Sequence, residues 1–373
     1  MNATTRSETT LTEEEFAGLA DSWDELVRSM PRPSPFLLHG WLAEWWRYFG
    51  DGDALSVHAM FRGGRLTAAL PLCLRRRHGL KVTEFLGGNK ATLADMLLSP
   101  DEGVTTAAEL AGAVAANGHD FADLFGLRLD SRLAAALPRG SLHLIERLEA
   151  PVLDLTSGWE SVYQTRLSSK TRAERRRRRR RLEALGRVEL LVARGREQIE
   201  PALEEAFRVH SLRWRGRRDT SGFGTPKGME FHRAAVLRLA DQDIPRLVTL
   251  RLDRSAIAFA LYLQLERTLY GLIMAFDPEF GQFSPGWETL LCALETADAE
   301  GVERVEFLGA AAEHKQRLAD RIEPIYEGVG LASTIQGRAA AEALVGGIRV
   351  RRRLKRYQRA QKLYQRVPRL KQD

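Results

Sequence analysis

The sequence AFDPEFGQFSPGWETLL, residues Ala275–Leu291, places a short loop between an apolar strand and a helix. Ser284 is a favourable N-cap residue, and Pro285 suits the first helical position because its missing N–H is not needed there. Gly286 lets a ligand approach the backbone closely. Since the first N–H groups of a helix are unpaired, this junction can bind a phosphate, although the same residues would also serve simply to start a helix.

The elements around this junction repeat an order that is already present in the N-terminal half. Both halves predict a strand, a tight turn, two further strands, a loop, a helix and a strand. In the first half these are Ser56–Phe61, Gly64–Leu74, Thr83–Leu86, the helix Thr105–Ala116 and the strand Phe121–Phe125. In the second half they are Arg246–Leu252, Ala256–Leu265, Thr268–Ala275, the helix Ser284–Ala299 and the strand Arg304–Leu308. The sequence therefore predicts an α+β fold made of two similar units.

The remaining segments mostly predict helices. A polar helix is expected over Glu13–Arg28 and an aromatic-rich helix over Phe36–Phe49. The tryptophans of the second helix recur at helical spacing, which favours a core helix over a surface for stacking ligands. Between the two halves, Leu167–Phe207 predicts a helix, a short strand at Val188–Val192 and a second helix.

The composition is that of a globular protein of 373 residues, with 44% hydrophobic and 28% charged residues. This length fits two domains better than one core. No window of ~18 uncharged apolar residues occurs, and the polar, acidic N-terminus lacks a signal-peptide pattern, so cytoplasmic residence is expected. No metal-binding motif occurs, and both cysteines lie in apolar runs, which favours buried free thiols.

Positive charge is concentrated in two places. Arg175–Arg181 is a run of arginines that surrounds its predicted helix, so some of them must pair with anions or lay their stems on apolar surface. From Gly346 to Asp373, eleven Lys/Arg and one acid give a net charge of +10, so the rest of the chain sums to −3 against a total of +7. The apolar residues of this tail share one helix face: Val350, Leu354, Tyr357 and Tyr364. The tail is expected to be either a solvated basic segment or a contact for an anionic membrane surface or an acidic partner, with membrane-peripheral residence in the second case.

Three stretches resemble the signature motifs of the cellulose-biosynthesis-type (CelD/BcsL-like) acetyltransferases, which belong to the GNAT superfamily. They are LSSKTRAERRRRRRRLEALGRVEL (Leu167–Leu190), AFDPEFGQFSPGWETLL (Ala275–Leu291) and EGVERVEFLGAAAEHKQRLA (Glu300–Ala319). SPFLLHGWLAEWWRYFG, Ser34–Gly50, resembles that family's N-terminal helix. The resemblance covers about residues 34–330 and extends to the FemABX peptidoglycan aminoacyltransferases, which carry two GNAT-like units.

The resemblance implies tandem GNAT-like units, each a mixed, mainly antiparallel sheet flanked by helices. We expect a non-catalytic GNAT-like unit at residues 1–155, an acyltransferase unit at 156–345 and a basic helical tail at 346–373. The implied donor is acetyl-CoA or another acyl-CoA. The implied acceptor is an amine of a small molecule or an amino sugar, in extracellular polysaccharide or cell-envelope biosynthesis.

The same resemblance implies where the donor would lie. In GNAT folds the backbone N–H of a strand polarises the thioester carbonyl, a role that would fall here to Gly271–Ala275. The helix N-terminus holds the pyrophosphate. The candidate cofactor-binding residues are therefore Gln282, Ser284, Gly286 and Trp287.

An alkyl amine is mostly protonated at neutral pH, so a base or a desolvated pocket must free its lone pair. Glu306, at a strand end, and His210, on the predicted helix near Trp214, are the candidate catalytic bases. Trp214, His314 and Lys315 are candidate substrate-binding residues. Two positions depart from the family pattern: Glu306 stands where an aspartate is usual, and His314 stands where a tyrosine often precedes the lysine.

Two other functions fit the same residues. In a FemABX-like, aminoacyl-tRNA-dependent ligase the arginine run would contact tRNA phosphates, and binding would depend steeply on salt. In an inactive, anion-binding or membrane-associated scaffold the basic tail would matter for localisation, and the loop at Ser284–Gly286 would tolerate bulky residues.

Overall fold

The computed structural model describes residues 6–216, 222–309 and 312–364, with residue 6 and residues 355–364 described by their backbone alone. Within these ranges the strands are β1 (Arg6–Leu11), β2 (Ala54–Arg62), β3 (Arg65–Arg77), β4 (Leu80–Phe85), β5 (Leu97–Leu98), β6 (Phe121–Leu127), β7 (Leu142–Asp154), β8 (Val188–Ala193), β9 (Pro245–Leu252), β10 (Ser255–Leu265), β11 (Thr268–Phe276), β12 (Arg304–Glu306) and β13 (Arg321–Gly330). The α-helices are α1 (Glu13–Gly18), α2 (Ala20–Ser29), α3 (His39–Phe49), α4 (Val104–Ala116), α5 (Arg132–Ala136), α6 (Trp159–Arg166), α7 (Ser169–Glu183), α8 (Gly195–Trp214), α9 (Pro226–Ala240), α10 (Pro285–Ala299), α11 (Glu313–Gln316) and α12 (Ile335–Tyr364).

The strands form one sheet in the order β1-β2-β3-β4-β6-β13-β7-β12-β11-β10-β9-β8, with β5 paired to β3. The two halves of the sheet follow the same plan from the edge to the centre. β1, β2, β3, β4, β6 and β13 from one edge correspond to β8, β9, β10, β11, β12 and β7 from the other. Each half has one parallel pairing, β4 with β6 and β11 with β12, and both pairings flank a helical crossover. The predicted duplication and the mainly antiparallel α+β class are therefore confirmed.

The two halves exchange their last strands. β7 follows β6 in sequence but pairs with β12 of the second half, and β13 pairs with β6 of the first half. β7 and β13 then pair with each other along the whole of β13. Neither strand was expected from the sequence, because charged residues such as Glu146 and Glu327 interrupt the apolar alternation that marks a strand.

Three predicted helices have different limits in the structure. Glu13–Arg28 is two helices that meet at Leu19, and the aromatic helix begins at His39. Its Trp41 is buried against Phe231 of α9, with ring centroids 5.2 Å apart, which confirms a core helix. The tail helix begins at Ile335, eleven residues before the predicted boundary at 346. Residues 365–373 lie outside the described residues, as do the side chains of Tyr357 and Tyr364.

Helices cover both faces of the second half of the sheet. α10 packs Leu290 and Leu294 against one face, on a core that includes Val248 of β9. α8 packs Leu203 and Phe207 against the other face of the sheet. Successive side chains of a strand point to opposite faces, so the same strands contribute to both cores. α10 is thereby held with its N-terminus at one end of β11. No helix in the described ranges is long and apolar enough to cross a membrane.

Candidate functional site

β11 and β12 form a wedge. They pair in parallel from Thr268–Arg304 to Tyr270–Glu306 and then separate, while β11 continues to Phe276. The register of β11 on β10 shifts at this point, which leaves Leu272 as an extra residue on β11. Beyond Tyr270, the edge of β11 that faces β12 is therefore open to a ligand that can pair with backbone groups.

Gly271 lies where the wedge begins. A Cβ atom at this position would be 2.9 Å from the carbonyl oxygen of Phe307, which is too close for a real contact. Only glycine therefore allows the two strands to approach before they separate.

A cavity of about 640 Å³ opens beside the wide end of the wedge. Met274, Ala275 and Phe276 of β11 form one wall, and the start of α10 forms another. Its cationic lining residues are Lys170, Arg175, Arg178, Arg213 and Arg317. Its aromatic lining residues are Trp214, Phe276, Phe283 and Trp287. Positive charge and aromatic surface together suit a ligand with phosphates and a ring.

The first turn of α10 and the residue before it line the cavity. Ser284 is the N-cap residue, as predicted, with φ 54° and ψ 50°. Its side chain makes no capping hydrogen bond to α10, so that part of the prediction is wrong. Instead, Arg178 Nη1 donates to Ser284 Oγ at 2.6 Å. Trp287 N donates to Ser284 O at 2.9 Å, so the first turn offers an anion in the cavity mainly the positive end of the α10 dipole, with Gly286 lining the same cavity.

The arginine run divides between two faces of α7. Arg175 donates two hydrogen bonds to Glu288, at 2.9 and 3.0 Å, and a third to Tyr163 Oη at 3.0 Å. Arg178 also donates to Glu174, and Arg179 donates to Glu183. The exposed arginines of the run are Arg176, Arg177, Arg180 and Arg181. The expectation that part of the run pairs with anions is therefore confirmed.

These ion pairs are features that the sequence did not reveal. Glu288 is buried in the first turn of α10, and its bidentate contact with Arg175 ties α7 to the start of that helix. Seven consecutive arginines carry no signal that selects Arg175 and Arg178 over their neighbours. The orientation of α7 about its own axis determines that Arg175 and Arg178 face the start of α10.

A second, smaller cavity of about 150 Å³ lies inside the wedge, between Gly271–Met274 and Phe307–Gly309. Lys315 reaches into it, and its Nζ donates to the carbonyl oxygens of Phe307 and Leu308, both at 2.9 Å. Burial lowers the pKa of Lys315 to about 8. Lys315 thus ties α11 to the end of β12 and forms one end of the wedge.

The structure brings five predicted site residues to the large cavity and leaves four outside it. Ser284, Gly286, Trp287, Trp214 and His314 line the cavity. Lys315 lies in the adjoining wedge. Gln282 is exposed on the loop before α10, and it is not among the described residues that line either cavity.

The two predicted bases are not among the described residues that line either cavity. His210 is 3% exposed and packs between Trp214 and Phe223, with ring centroids 6.2 and 5.2 Å away. Glu306 is 2% exposed, and its Oε1 accepts hydrogen bonds from the side chains of Arg32, Arg128 and Arg304, at 3.4, 2.8 and 2.9 Å. The geometry gives Glu306 a structural place, joining the two halves of the chain.

Comparison with known proteins agrees with this geometry. Residues 169–316 match the family described as Acetyltransferase (GNAT) domain. The fold is that of tandem GNAT-like units. The match ends one residue after Lys315, so it includes the start of α10, the wedge and His314. No curated protein sequence matches the chain.

Two solved structures share the fold over most of the chain. FemX has a TM-score of 0.57 and 12% identity, over 86% of this chain and 96% of that one. The C-terminal domain (DUF2156) described as that of a lysylphosphatidylglycerol synthetase from Agrobacterium fabrum has a TM-score of 0.53 and 15% identity, over 88% and 95%. At these identities the likeness establishes the fold alone. The donor and the acceptor must be argued from the residues of the site.

Replacing Glu306 separates a structural role from a catalytic one. Glu306→Ala leaves three arginines around an empty position, so we expect the free energy of unfolding to fall by about 3 kcal/mol in urea titrations. Glu303→Ala is the control, because its pair with Arg267 is exposed and worth less than about 1 kcal/mol. A Glu306→Ala protein of unchanged stability but without transferase activity would instead support the base assignment.

Proposed function

We propose that the protein is a GNAT-type N-acyltransferase that moves an acyl group from acyl-CoA to an amine of a small molecule or sugar. The observation that carries the proposal is a pair of neighbouring cavities along β11: the 640 Å³ cavity at the start of α10 and the 150 Å³ cavity in the wedge between β11 and β12. The proposed path of the donor runs from the first to the second past Met274, which lines both. A context in polysaccharide or cell-envelope biosynthesis is part of the proposal through the resemblance of the sequence motifs.

The donor fits this path in order. The pyrophosphate would lie at Ser284, Gly286 and Trp287, where the dipole of α10 and Arg178 supply positive charge. The pantetheine amides would pair with the open edge of β11 as an added strand does. The thioester would then lie beside Gly271–Met274, where a backbone N–H can stabilise the oxyanion. The 150 Å³ cavity at the inner end favours a short acyl group such as acetyl.

The same geometry supports the proposed division into domains. All residues that line the large cavity lie within 156–345. In the first half, Ala94 N donates to the carbonyl oxygen of Gly126 at 3.1 Å, and a Cβ at Gly126 would lie 3.0 Å from Ala91 O. The loop at residues 91–94 therefore lies against the end of β6, and the cavity at this place, about 230 Å³, is smaller than the 640 Å³ cavity of the second half. This supports a non-catalytic N-terminal unit.

An aminoacyl-tRNA donor is the second candidate. The exposed arginines Arg176 and Arg180 are one helical turn apart, and no acidic side chain pairs with them among the described residues. Such a row can contact a phosphate backbone. If tRNA is the donor, its affinity will fall steeply between low and moderate salt, whereas acyl-CoA binding will fall less steeply because it involves fewer phosphates.

Gly286→Asp tests the proposed donor site. A Cβ at Gly286 would be 3.3 Å from Phe276 Cδ1 and 3.4 Å from Met274 Cε, so a side chain fits after a small shift. A carboxylate in the first turn favours the helix but repels a pyrophosphate by about 4 kcal/mol. Calorimetric titration with acetyl-CoA should show binding weakened more than about 100-fold.

Gly286→Ala is the matched control, because it adds the Cβ without the charge. We expect it to bind acetyl-CoA within a few-fold of the wild type. A wild-type protein that is folded but binds neither acetyl-CoA nor longer acyl-CoAs would sink the proposal and direct attention to charged tRNA.

We also propose that α12 binds an anionic membrane surface. Val350 and Leu354 are each 56% exposed and lie one turn apart, and the neighbouring Arg349, Arg351 and Arg353 are exposed as well. Arg352 is the exception, because it pairs with Glu146 of β7 and so anchors the helix to the sheet. Exposed apolar residues between arginines favour a lipid surface over a nucleic acid.

A charge reversal tests the membrane contact. In Arg349→Glu/Arg351→Glu/Arg353→Glu each lost cation removes about 1 kcal/mol of attraction, so co-sedimentation with phosphatidylglycerol-containing vesicles should weaken more than about 10-fold. Lys81→Glu/Arg139→Glu/Arg254→Glu changes the net charge equally at scattered exposed positions and should bind as the wild type does. Equal loss in both variants would show a non-specific charge effect and contradict the proposal.

A further inference from the structure

We propose that His314 is the general base of the acyl transfer and that its Nε2 accepts the proton of the attacking amine. This inference rests on the proposed acyltransferase function and assigns the step that Glu306 and His210 do not reach.

His314 is the histidine among the described residues that lines the large cavity. Its Nε2 is buried and has no hydrogen-bond partner in the described part of the chain. Leaving a buried nitrogen without a hydrogen bond is unfavourable, so such atoms in native structures are expected to find a partner in water or in a ligand. Because Nε2 is enclosed in the free protein, the imidazole must turn toward the cavity for an amine bound there to supply that partner.

The position of His314 along the cavity fits the reacting bond. His314 shares the large cavity with Ser284 and Gly286, where the pyrophosphate is proposed to bind. Its neighbour Lys315 is fixed by two hydrogen bonds inside the wedge, where the thioester is proposed to lie. His314 therefore stands at the junction between the two, and α11 cannot move without breaking the bonds of Lys315.

The surroundings keep the imidazole neutral. Burial lowers the pKa of His314, and the charge of Lys315 lowers it further, while Glu313 opposes both. The other charged groups that face the cavity are Lys170, Glu174, Arg175 and Arg178 of α7, Arg213 of α8, Glu288 of α10, and Arg317. Arg175 pairs with Glu288, Arg178 with Glu174, and Arg317 with Glu313, which leaves Lys170 and Arg213 as an excess of positive charge. A neutral imidazole at neutral pH is the state that a base requires.

The proposed step is balanced. The amine nitrogen forms a bond to the thioester carbon, and a proton of that nitrogen passes to His314 Nε2. The C–S bond then breaks, the CoA sulfur leaves as a thiolate, and the imidazolium returns the proton to it. The products are the amide and the CoA thiol, and the imidazole is neutral again.

The test measures release of the CoA thiol from acetyl-CoA, with a panel of glucosamine, ethanolamine and lysine as acceptors. The wild type is compared with His314→Gln between pH 5 and 8.5. Ionisation of the amine affects both proteins alike, so it cancels in the ratio of their kcat values. We expect a ratio of about 100 at pH 8, falling toward one as the pH drops below the pKa of the imidazole. Acetyl-CoA affinity should stay within a few-fold, because the donor contacts are retained.

Two further variants strengthen the test. His314→Ala should be partly rescued by added imidazole, which a packing defect would not be. His143→Gln makes the same change at an exposed strand position and should leave the rate unaltered.

A wild-type/His314→Gln ratio that does not vary with pH, or a variant with full activity, overturns the assignment of His314 while leaving the acyltransferase standing. Absence of thiol release by the wild type with every acceptor and with water overturns both.

Discussion

The central pairing of β7 with β13 is the constraint on which the rest of the structure depends. Each strand completes the half of the sheet to which it does not belong in sequence, so neither half can close its own sheet alone. The buried Glu306 reinforces this exchange, because Arg32 and Arg128 come from the first half and Arg304 from the second. An ion cluster at such a seam adds little stability for its size, but it penalises any other register of the two halves.

The two halves differ at the strand end where the parallel pairing stops. Asp123-Leu124-Phe125-Gly126 of the first half and Glu306-Phe307-Leu308-Gly309 of the second both lie at the end of their parallel strand pairing. In the first half the loop at residues 91–94 packs onto Gly126. In the second half, Lys315 Nζ is the one atom of the described residues within 4 Å of a Cβ built at Gly309, at 3.7 Å, and a cavity lies inside the wedge. A cavity of about 230 Å³ also lies at this place in the first half, lined by Leu93, Ala94, Gly126 and Arg128, so the two halves differ in what surrounds the strand end.

Charge is used differently in three parts of the chain. The inner arginines Arg175 and Arg178 pair with Glu288 and Glu174, and they position α10 and Ser284. Of the exposed arginines, Arg177 shares Glu174 and Arg181 lies over Phe283, which leaves Arg176 and Arg180 without an acidic partner among the described residues. The arginines of α12 surround two exposed apolar residues, an arrangement typical of a surface-binding helix. The net charge of +7 does not reveal this division, because residues 346–373 alone carry a net charge of +10.

The sequence by itself determined the repeated order of elements, the core role of the aromatic helix and the loop before α10, because apolar periodicity and the residues Ser284–Gly286 are local signals. Only the tertiary structure decided that β7 and β13 are strands, since their charges become tolerable only beside distant arginines. It also decided which arginines of the run are paired. Finally, it separated Glu306 and His210 from the cavity and brought His314 into it. Contacts between residues far apart in the chain leave no periodic trace in a single sequence, and the candidate site is built mostly from such contacts.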